Sequence, residues 1–296
     1  MKPPLTLTAI LLVGLATSGN VSRADTLQKI ADSNRITVSY REAAVPFSYV
    51  VNGNNIMGFA VDLTEAVIDD VRRQLKRPAL QVAYIPVTSQ TRIPMLMNGS
   101  YDLECGSTTN NVARNKDVAF SINYFYAGTR VLTNKEANIR SYADLAGKTV
   151  ATTAGSTNEK VIRQYSEQHG LGMQLLPAKD YAESLALLEQ GRAAAVALDD
   201  ILLYGLRATA ANPAALEVVG ETLQVEPYAC MLRKDDPAFK ALVDGAIANL
   251  MQSGRFARLY HRWFEMPIPP KGTLLAMPMS AALQANLKTM SDKPER

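Results

Sequence analysis

Hydrophobic and polar residues alternate along the chain in segments that predict strands, each followed by a polar loop and a stretch with helical spacing. Ile36, Val38 and Tyr40 alternate with polar residues, which predicts a half-buried β-strand that ends at Arg41. The apolar residues of the next segment recur at helical spacing, and they are Leu63, Val67, Val71 and Leu75. The first unit is therefore a strand, a loop and a helix.

The same unit repeats in the residues that follow. Asp62 and Glu65 have the spacing of a capping box, which predicts that the first helix begins at Asp62. A second strand over 80–85 leads into a polar loop and a short helix. A third strand over 101–105 leads into a loop of small hydroxyl and amide residues over 106–111. Polar residues thus follow each predicted strand end.

A second series begins after an extended stretch over 129–133. A strand over 148–152 precedes Thr157, where a helix opens, and a later apolar run over 193–198 ends at Asp199. An aspartate directly after a strand and before a helix is typical of an N-cap, so the local pattern favours that role for Asp199.

The alternation of strands and helices predicts an α/β fold with a largely parallel sheet. In such folds ligands bind outside the carboxyl ends of the strands. The length of 296 residues fits two compact lobes, each with a core of its own. We expect the polar residues that follow the first three strands to share one crevice, and they are Arg41, Ser89, Arg92 and Ser107.

Residues 1–24 are predicted to be a signal peptide. Lys2 precedes an apolar run over 5–15 that is too short to span a bilayer. Small residues before the junction suit a signal peptidase, so we expect cleavage after Ala24, with cleavage after Gly19 as an alternative. An uncleaved membrane anchor is the competing interpretation.

The predicted mature chain is almost neutral. Removing Lys2 and Arg23 from the 31 basic residues leaves 29, against 28 acidic residues. A nearly neutral chain with scattered arginines offers no continuous basic surface, so no nucleic-acid partner is expected.

The two cysteines, Cys105 and Cys230, lie far apart in the sequence. In an exported protein they could form one disulfide or remain two buried thiols, and the spacing does not decide between these outcomes. No histidine lies near either, so they make a poor metal site, and no metal or other cofactor is expected.

Several segments resemble the polar amino-acid solute-binding proteins of ATP-driven importers, and specifically their glutamate/aspartate-binding branch. The likeness extends over nearly the whole mature chain, with the segments in the order of the family and at similar spacing. The segments are 40–42 (YRE), 45–49 (VPFSY), 58–63 (GFAVDL), 88–94 (TSQTRIP), 104–111 (ECGSTTNN), 191–193 (GRA), 199–200 (DD) and 230–237 (CMLRKDDP).

This resemblance implies a two-lobed periplasmic binding protein of type II, in which each lobe is a mixed sheet flanked by helices. Two hinge strands near 127–134 and 221–231 would join the lobes, and Cys105 and Cys230 would then be neighbours. The implied first lobe is discontinuous. The implied segments are a first lobe over 25–128 and 229–270, a second lobe over 129–228 and a C-terminal tail over 271–296.

The resemblance also implies a function and partners. The protein would be the periplasmic component of an ABC importer that captures glutamate or aspartate by closing its lobes. It would act as a monomer and present the closed form to a membrane permease.

The resemblance assigns a role to each candidate site residue. Arg41, Ser89 and Arg92 would bind the side-chain carboxylate of the ligand. Two arginines there would favour acidic ligands over amides, because an unpaired buried charge is costly. At Tyr181 the chain departs from the family, whose members often have histidine at that position.

The remaining residues would bind the α-carboxylate and the α-ammonium. Arg114 matches the guanidinium that grips the α-carboxylate, and the hydroxyl and free amides at Thr157 suit the same group. Asp199 matches the residue that receives the ammonium, together with the backbone of Ser107 and the hydroxyl of Thr109. For Asp199 the resemblance reverses the N-cap interpretation.

Two other functional classes remain open. A dehydratase-like periplasmic enzyme on the same scaffold is one, because a fold does not determine an activity. The chain offers it little, since His169 and His261 lie outside the polar loops and indicate no catalytic residues. A ligand-sensing protein is the other, although it would need a membrane signalling partner.

Overall fold

The structure is a computed structural model that describes residues 25–294. The predicted signal peptide and its cleavage site after Ala24 lie outside the described residues. Every helix found within 25–294 is too short or too polar to cross a membrane.

Short strands and amphipathic helices alternate through most of the described chain. The strands are β1 Arg35–Tyr40, β2 Ala43–Ala44, β3 Ser48–Val51, β4 Asn55–Met57, β5 Gln81–Pro86, β6 Leu103–Glu104, β7 Val118–Phe120, β8 Phe125–Asn134, β9 Thr149–Thr153, β10 Gln174–Ala178, β11 Ala195–Asp199, β12 Leu216–Val219, β13 Val225–Tyr228 and β14 Met231–Arg233. The helices are α1 Thr26–Ser33, α2 Phe59–Leu75, α3 Arg92–Met97, α4 Thr157–Gln168, α5 Tyr181–Glu189, α6 Asp200–Thr209, α7 Pro237–Gln252, α8 Arg255–Tyr260 and α9 Ala281–Thr289.

The first sheet has the strand order β5-β1-β6-β14-β7. Strand β1 pairs in parallel with β5 and β6, whereas β14 is antiparallel to both of its neighbours. Strand β14 comes from the far end of the chain, so this lobe is discontinuous in sequence. The apolar faces of α2 and α7 are buried in this lobe, including Leu63, Val67, Val243 and Ile247.

The second sheet has the strand order β10-β9-β11-β8-β12. Strand β9 is parallel to β10 and β11, and β8 is antiparallel to β11 and β12. Helices α4, α5 and α6 follow strands β9, β10 and β11 in turn. Two mixed sheets flanked by helices confirm the predicted two-lobed α/β fold.

Two antiparallel strands connect the sheets. Phe125, at the start of β8, pairs with Tyr228, at the end of β13, and Gly128 pairs with Val225. The lobes also touch beyond these strands. Helix α6 of the second lobe approaches the first lobe so closely that a Cβ on Gly205 would lie 2.1 Å from the carbonyl oxygen of Val45. The structure therefore has its lobes in contact.

Helix α2 begins at Phe59, three residues before the predicted start at Asp62. Gly58 is the N-cap, with a φ of 139°, and a side chain there would lie 2.2 Å from the carbonyl oxygen of Phe47. Asp62 instead accepts a hydrogen bond from Trp263 Nε1 at 2.8 Å. The capping-box prediction was wrong because the close approach to Phe47 sets the start of the helix.

The tail after residue 270 packs against the first lobe. Leu283 on α9 is buried, and Asn286 Nδ2 donates to the carbonyl oxygen of Asn123 at 2.7 Å. Asn123 Nδ2 in turn donates to the carbonyl oxygen of Lys293 at 2.9 Å. The sequence pattern did not predict this helix, because its large apolar residues are only Leu283 and Leu287.

Candidate ligand-binding site

The nine predicted site residues lie where strands end and helices begin, on both sides of the interlobe cleft. In the first lobe they follow β1, β5 and β6, and they are Arg41, Ser89, Arg92, Ser107, Thr109 and Arg114. In the second lobe Thr157 and Tyr181 are the first residues of α4 and α5, and Asp199 is the last residue of β11. The carboxyl ends of parallel strands thus supply the candidate site, as expected for this fold class.

Arg41 and Tyr181 meet across the cleft. The guanidinium of Arg41 lies over the ring of Tyr181, with its Cζ atom 4.6 Å from the ring centroid. Its Nη2 donates to Ser89 Oγ at 3.2 Å. Nη1 of this buried arginine has no hydrogen-bond partner among the described residues. Arg41 therefore keeps a donor that is free to bind an anion.

The hydroxyl of Tyr181 occupies the same end of the cleft. It lies 3.1 Å from Ser107 Oγ and 3.5 Å from Ser89 Oγ. Burial alone would raise the pKa of this phenol, but the positive charges of Arg41 and Arg92 outweigh burial and lower the pKa below its ordinary value. Tyr181 is thus held in a strongly positive environment.

Arg92 is buried behind the loop that carries Ser107. Its Nη1 donates to the carbonyl oxygen of Ser107 at 3.1 Å and to the hydroxyl of Thr108, and it lies 3.9 Å from Glu104 Oε1. Glu104 is itself buried, so it offsets much of this guanidinium charge. The sequence analysis did not identify Glu104, although an acidic residue next to a buried cysteine was a usable signal.

Arg114 reaches from the first lobe to the second. Its Nη1 donates to the carbonyl oxygen of Thr109 at 3.0 Å, and its Nη2 donates to that of Gly155 at 3.3 Å. Burial lowers the pKa of this guanidinium to about 10, so it remains a cation at neutral pH. The side chain is only partly buried and stands at the edge of the cleft.

Asp199 occupies the N-cap position of α6, but its side chain does not cap the helix. It accepts hydrogen bonds from Asn158 Nδ2 at 2.9 Å and from the hydroxyl of Tyr228. The neighbouring Asp200 accepts from the backbone N–H of Ile201 at 2.7 Å. The N-cap interpretation that the local pattern favoured is therefore wrong for the Asp199 side chain.

Burial and, next, the nearby carboxylate of Glu226 together raise the pKa of Asp199 to about 7. Glu226 is fully buried on β13 and accepts hydrogen bonds from the hydroxyls of Thr109 and Thr157. Glu226 was not among the site residues predicted from the sequence. Its signal was a single charged residue within an otherwise apolar run over 225–232.

The sequence predicted that the hydroxyl of Thr157 would donate to a carboxylate of the ligand, but in the structure it donates to Glu226. Because it donates to Glu226, it has no proton left to offer to a carboxylate. The backbone N–H of Glu159 donates to Ser156 Oγ, but those of Thr157 and Asn158 have no acceptor within the helix, so they remain available to an anion.

Cys105 and Cys230 are joined by a disulfide, with their Cα atoms 4.1 Å apart. The bond links the ends of β6 and β13 immediately before the loop that carries Ser107 and Thr109. It therefore anchors this loop to the second connecting strand.

Chemistry other than binding finds little support in the described residues. Within 25–294, no three His, Cys, Asp or Glu side chains are placed to hold a metal ion. His169, which directly follows α4, and His261, which directly follows α8, are exposed and contact Tyr165 and Glu265.

Two lobes that meet over buried charged groups, with Arg41 and the Arg92–Glu104 pair at one end and Asp199 and Glu226 at the other, define a two-lobed solute-binding protein. Residues 36–266 match the model of the bacterial extracellular solute-binding proteins, family 3, and the chain belongs to this family.

Curated relatives and solved structures extend this match. The chain is 44% identical to the glutamate/aspartate import solute-binding protein of Salmonella typhimurium, over 97% of each chain. It is 45% identical to the L-glutamate/L-aspartate-binding protein of Pseudomonas aeruginosa, over 90% of this chain and 89% of that protein. A solved ancestral arginine-binding protein bound to glutamine superposes with a TM-score of 0.70 at 26% identity, over 78% of this chain and 98% of that one.

Proposed function

We propose that the protein is the periplasmic solute-binding component of an ABC importer and that it binds L-glutamate or L-aspartate without catalysis. The observation that carries the proposal is the separation of charge in one cleft, where Arg41 and Arg92 lie at one end and Asp199 at the other. A ligand with two carboxylates and one ammonium complements this arrangement, because buried charges need opposite charges or hydrogen bonds.

The proposed contacts follow from the free groups of the site. Arg41, Ser89 and Arg92 bind the side-chain carboxylate, with Nη1 of Arg41 and Nε of Arg92 as donors that lack partners in the described structure. Arg114 and the first N–H groups of α4 bind the α-carboxylate. Asp199 and the hydroxyl of Thr109 accept from the ammonium.

Lobe closure is the proposed mechanism of capture. Tyr181, Thr157 and Asp199 come from the second lobe, so their contacts with ligand form fully only when the lobes meet. A ligand that touches both lobes favours the closed state by its extra affinity for that state. A closed monomer then delivers the ligand to the membrane permease. The printed names of the Salmonella and Pseudomonas relatives support both the ligand and the import role.

Isothermal titration of the purified mature protein tests the proposal. We expect L-glutamate and L-aspartate to bind with micromolar or lower dissociation constants, which corresponds to about 8 kcal/mol or more. L-glutamine and L-arginine should bind at least about 100-fold more weakly, because each leaves buried charge unpaired. Tighter binding of glutamine or arginine than of both acids would refute the proposed ligand.

A further inference from the structure

Glu226 is a buried carboxylate at the junction of the two lobes. It lies on β13, opposite Ala127 of β8, and none of its surface is exposed. Its Oε2 atom accepts from Thr109 Oγ1 at 2.7 Å and from Thr157 Oγ1, and its Oε1 atom lies 3.4 Å from Gln224 Nε2. Its described hydrogen-bond partners are therefore all neutral.

These partners belong to different lobes. Thr109 follows β6 of the first lobe and Thr157 begins α4 of the second, and their hydroxyl oxygens are 3.3 Å apart. Glu226 also lines a cavity of about 280 Å³ between the lobes, together with Asn111 and Lys160. The carboxylate thus faces the interlobe space, and it accepts from one hydroxyl of each lobe, so both contacts are made together only when the lobes meet.

Glu226 also lies close to Asp199. Tyr228 is two residues beyond Glu226 on β13, so both side chains project from the same face of that strand. The hydroxyl of Tyr228 donates to Asp199. The negative charge of Glu226 contributes to the raised pKa of Asp199. The positive charge of Arg114 also acts on Glu226. Two neighbouring buried carboxylates repel each other, and a ligand ammonium placed between them would relieve the repulsion.

We propose that Glu226 is a positioning residue of the ammonium subsite. It draws the hydroxyl proton of Thr109 toward itself, so that the oxygen of Thr109 presents its lone pairs to the ammonium of the ligand. It also adds a second negative charge beside Asp199. The inference rests on the proposed function. In this role, Glu226 helps the carboxylate end of the cleft to distinguish dicarboxylates that carry an ammonium from those that do not.

Glutarate tests this role because it has the two carboxylates of L-glutamate but no ammonium. Both ligands are titrated into the mature wild-type protein, Glu226→Gln and the matched control Glu221→Gln. The control removes the same charge from an exposed position in the segment that leads into β13. Weak glutarate binding is measured by competition with L-glutamate.

We expect Glu226→Gln to weaken L-glutamate about tenfold or more, because an opposite charge near the ammonium is lost. Glutarate should bind this variant as well as the wild type or better, since one repulsive carboxylate is gone. Glu221→Gln should leave both affinities within about twofold, as expected for an exposed charge.

Parallel losses for both ligands would show a purely structural role and overturn the inference, and so would an unchanged affinity of Glu226→Gln for L-glutamate. If Glu226→Gln does not fold, Thr109→Val tests the same role. It should weaken the binding of L-glutamate more than that of glutarate. Thr109→Ser, which keeps the hydroxyl, should restore the affinity for L-glutamate. Wild-type protein that does not bind L-glutamate would instead refute the proposed function.

Discussion

The arginine end of the cleft, which holds Arg41 and Arg92, and the carboxylate end, which holds Asp199 and Glu226, differ in how their buried charges are paired. At the arginine end, Glu104 lies close to Arg92, while Nη1 of Arg41 has no partner among the described residues. At the carboxylate end, the described hydrogen-bond partners of Asp199 are neutral groups, the amide of Asn158 and the hydroxyl of Tyr228. Among the described residues, the first end retains unpaired donors on Arg41 and Arg92 and an unpaired oxygen on Glu104, and the second retains unbalanced charge.

This difference indicates how each end contributes to selectivity. An unpaired guanidinium donor increases the affinity for any ligand that brings an acceptor. The increase is largest for a carboxylate, because both the charge and the hydrogen bond are then satisfied. A pair of carboxylates held by neutral donors favours a cationic ligand group. Because burial and the neighbouring Glu226 raise the pKa of Asp199 to about 7, a proton competes with that cation near neutral pH. Under the proposed function, the arginine end therefore selects an acid, whereas the carboxylate end selects an amine and responds to pH.

Substitution at the arginine end should have the largest effect. We expect Arg41→Met to weaken L-glutamate and L-aspartate about 100-fold or more, because truncating one partner of a buried charged contact costs about 2–5 kcal/mol. L-glutamine should lose much less, since it never formed that ion pair. Isothermal titration measures all three ligands.

Arg163→Met is the matched control for Arg41→Met. Arg163 lies exposed on α4, where it pairs with Glu159 at 3.2 Å, so its loss should change each affinity less than about twofold. Equal losses for glutamate and glutamine in Arg41→Met would mean that Arg41 holds the structure of the cleft rather than the acidic group.

The carboxylate end should make binding depend on pH. The pKa of Asp199 is raised to about 7 when the lobes are in contact, so below that pH the carboxyl is largely protonated and must lose its proton to accept an ammonium. We expect the affinity for L-glutamate to fall up to about tenfold per pH unit between pH 7 and pH 5.5, and to level off above pH 7.5.

The sign of the effect on folding is opposite. A carboxyl whose pKa is higher in the folded than in the unfolded protein stabilises the fold at low pH, and this contribution is lost as the pH rises through about 7. The charged and titratable groups nearest to Asp199 are Glu226, Asp200 and Tyr228.

Titrations at pH 6.5 in two buffers of different ionisation enthalpy measure the number of protons that are released. Glutarate is the control, because it brings no ammonium and should release none. An affinity for L-glutamate that stays constant from pH 5.5 to 7.5 would contradict this account of the carboxylate end.

The two ends also differ in how far the sequence predicted them. Arg41, Ser89 and Ser107 were expected together because polar residues that follow parallel strands converge at one edge of a sheet. Glu226 was missed because its role depends on β13 pairing with β8 about a hundred residues away and on contacts with both lobes. For Asp199 the local pattern favoured a cap and the resemblance to the family reversed that interpretation, and the positions of Asn158 and Tyr228 show where its side chain points.

Tyr181 should set the preference between the two acids, with the smallest of the expected effects. Its hydroxyl lies within 3.5 Å of both Ser89 Oγ and Ser107 Oγ, in the space where the side-chain carboxylate of a ligand would bind. A hydroxyl there shortens the pocket, so it should favour L-aspartate over the longer L-glutamate. We expect Tyr181→His to shift the ratio of the two affinities toward glutamate by about fivefold, since one methylene is worth roughly 1 kcal/mol or more in a closed pocket. Tyr181→Phe separates ring from hydroxyl: a shift as large as that of Tyr181→His assigns the preference to the hydroxyl, and an unchanged ratio in both variants contradicts the assignment of Tyr181 to this pocket.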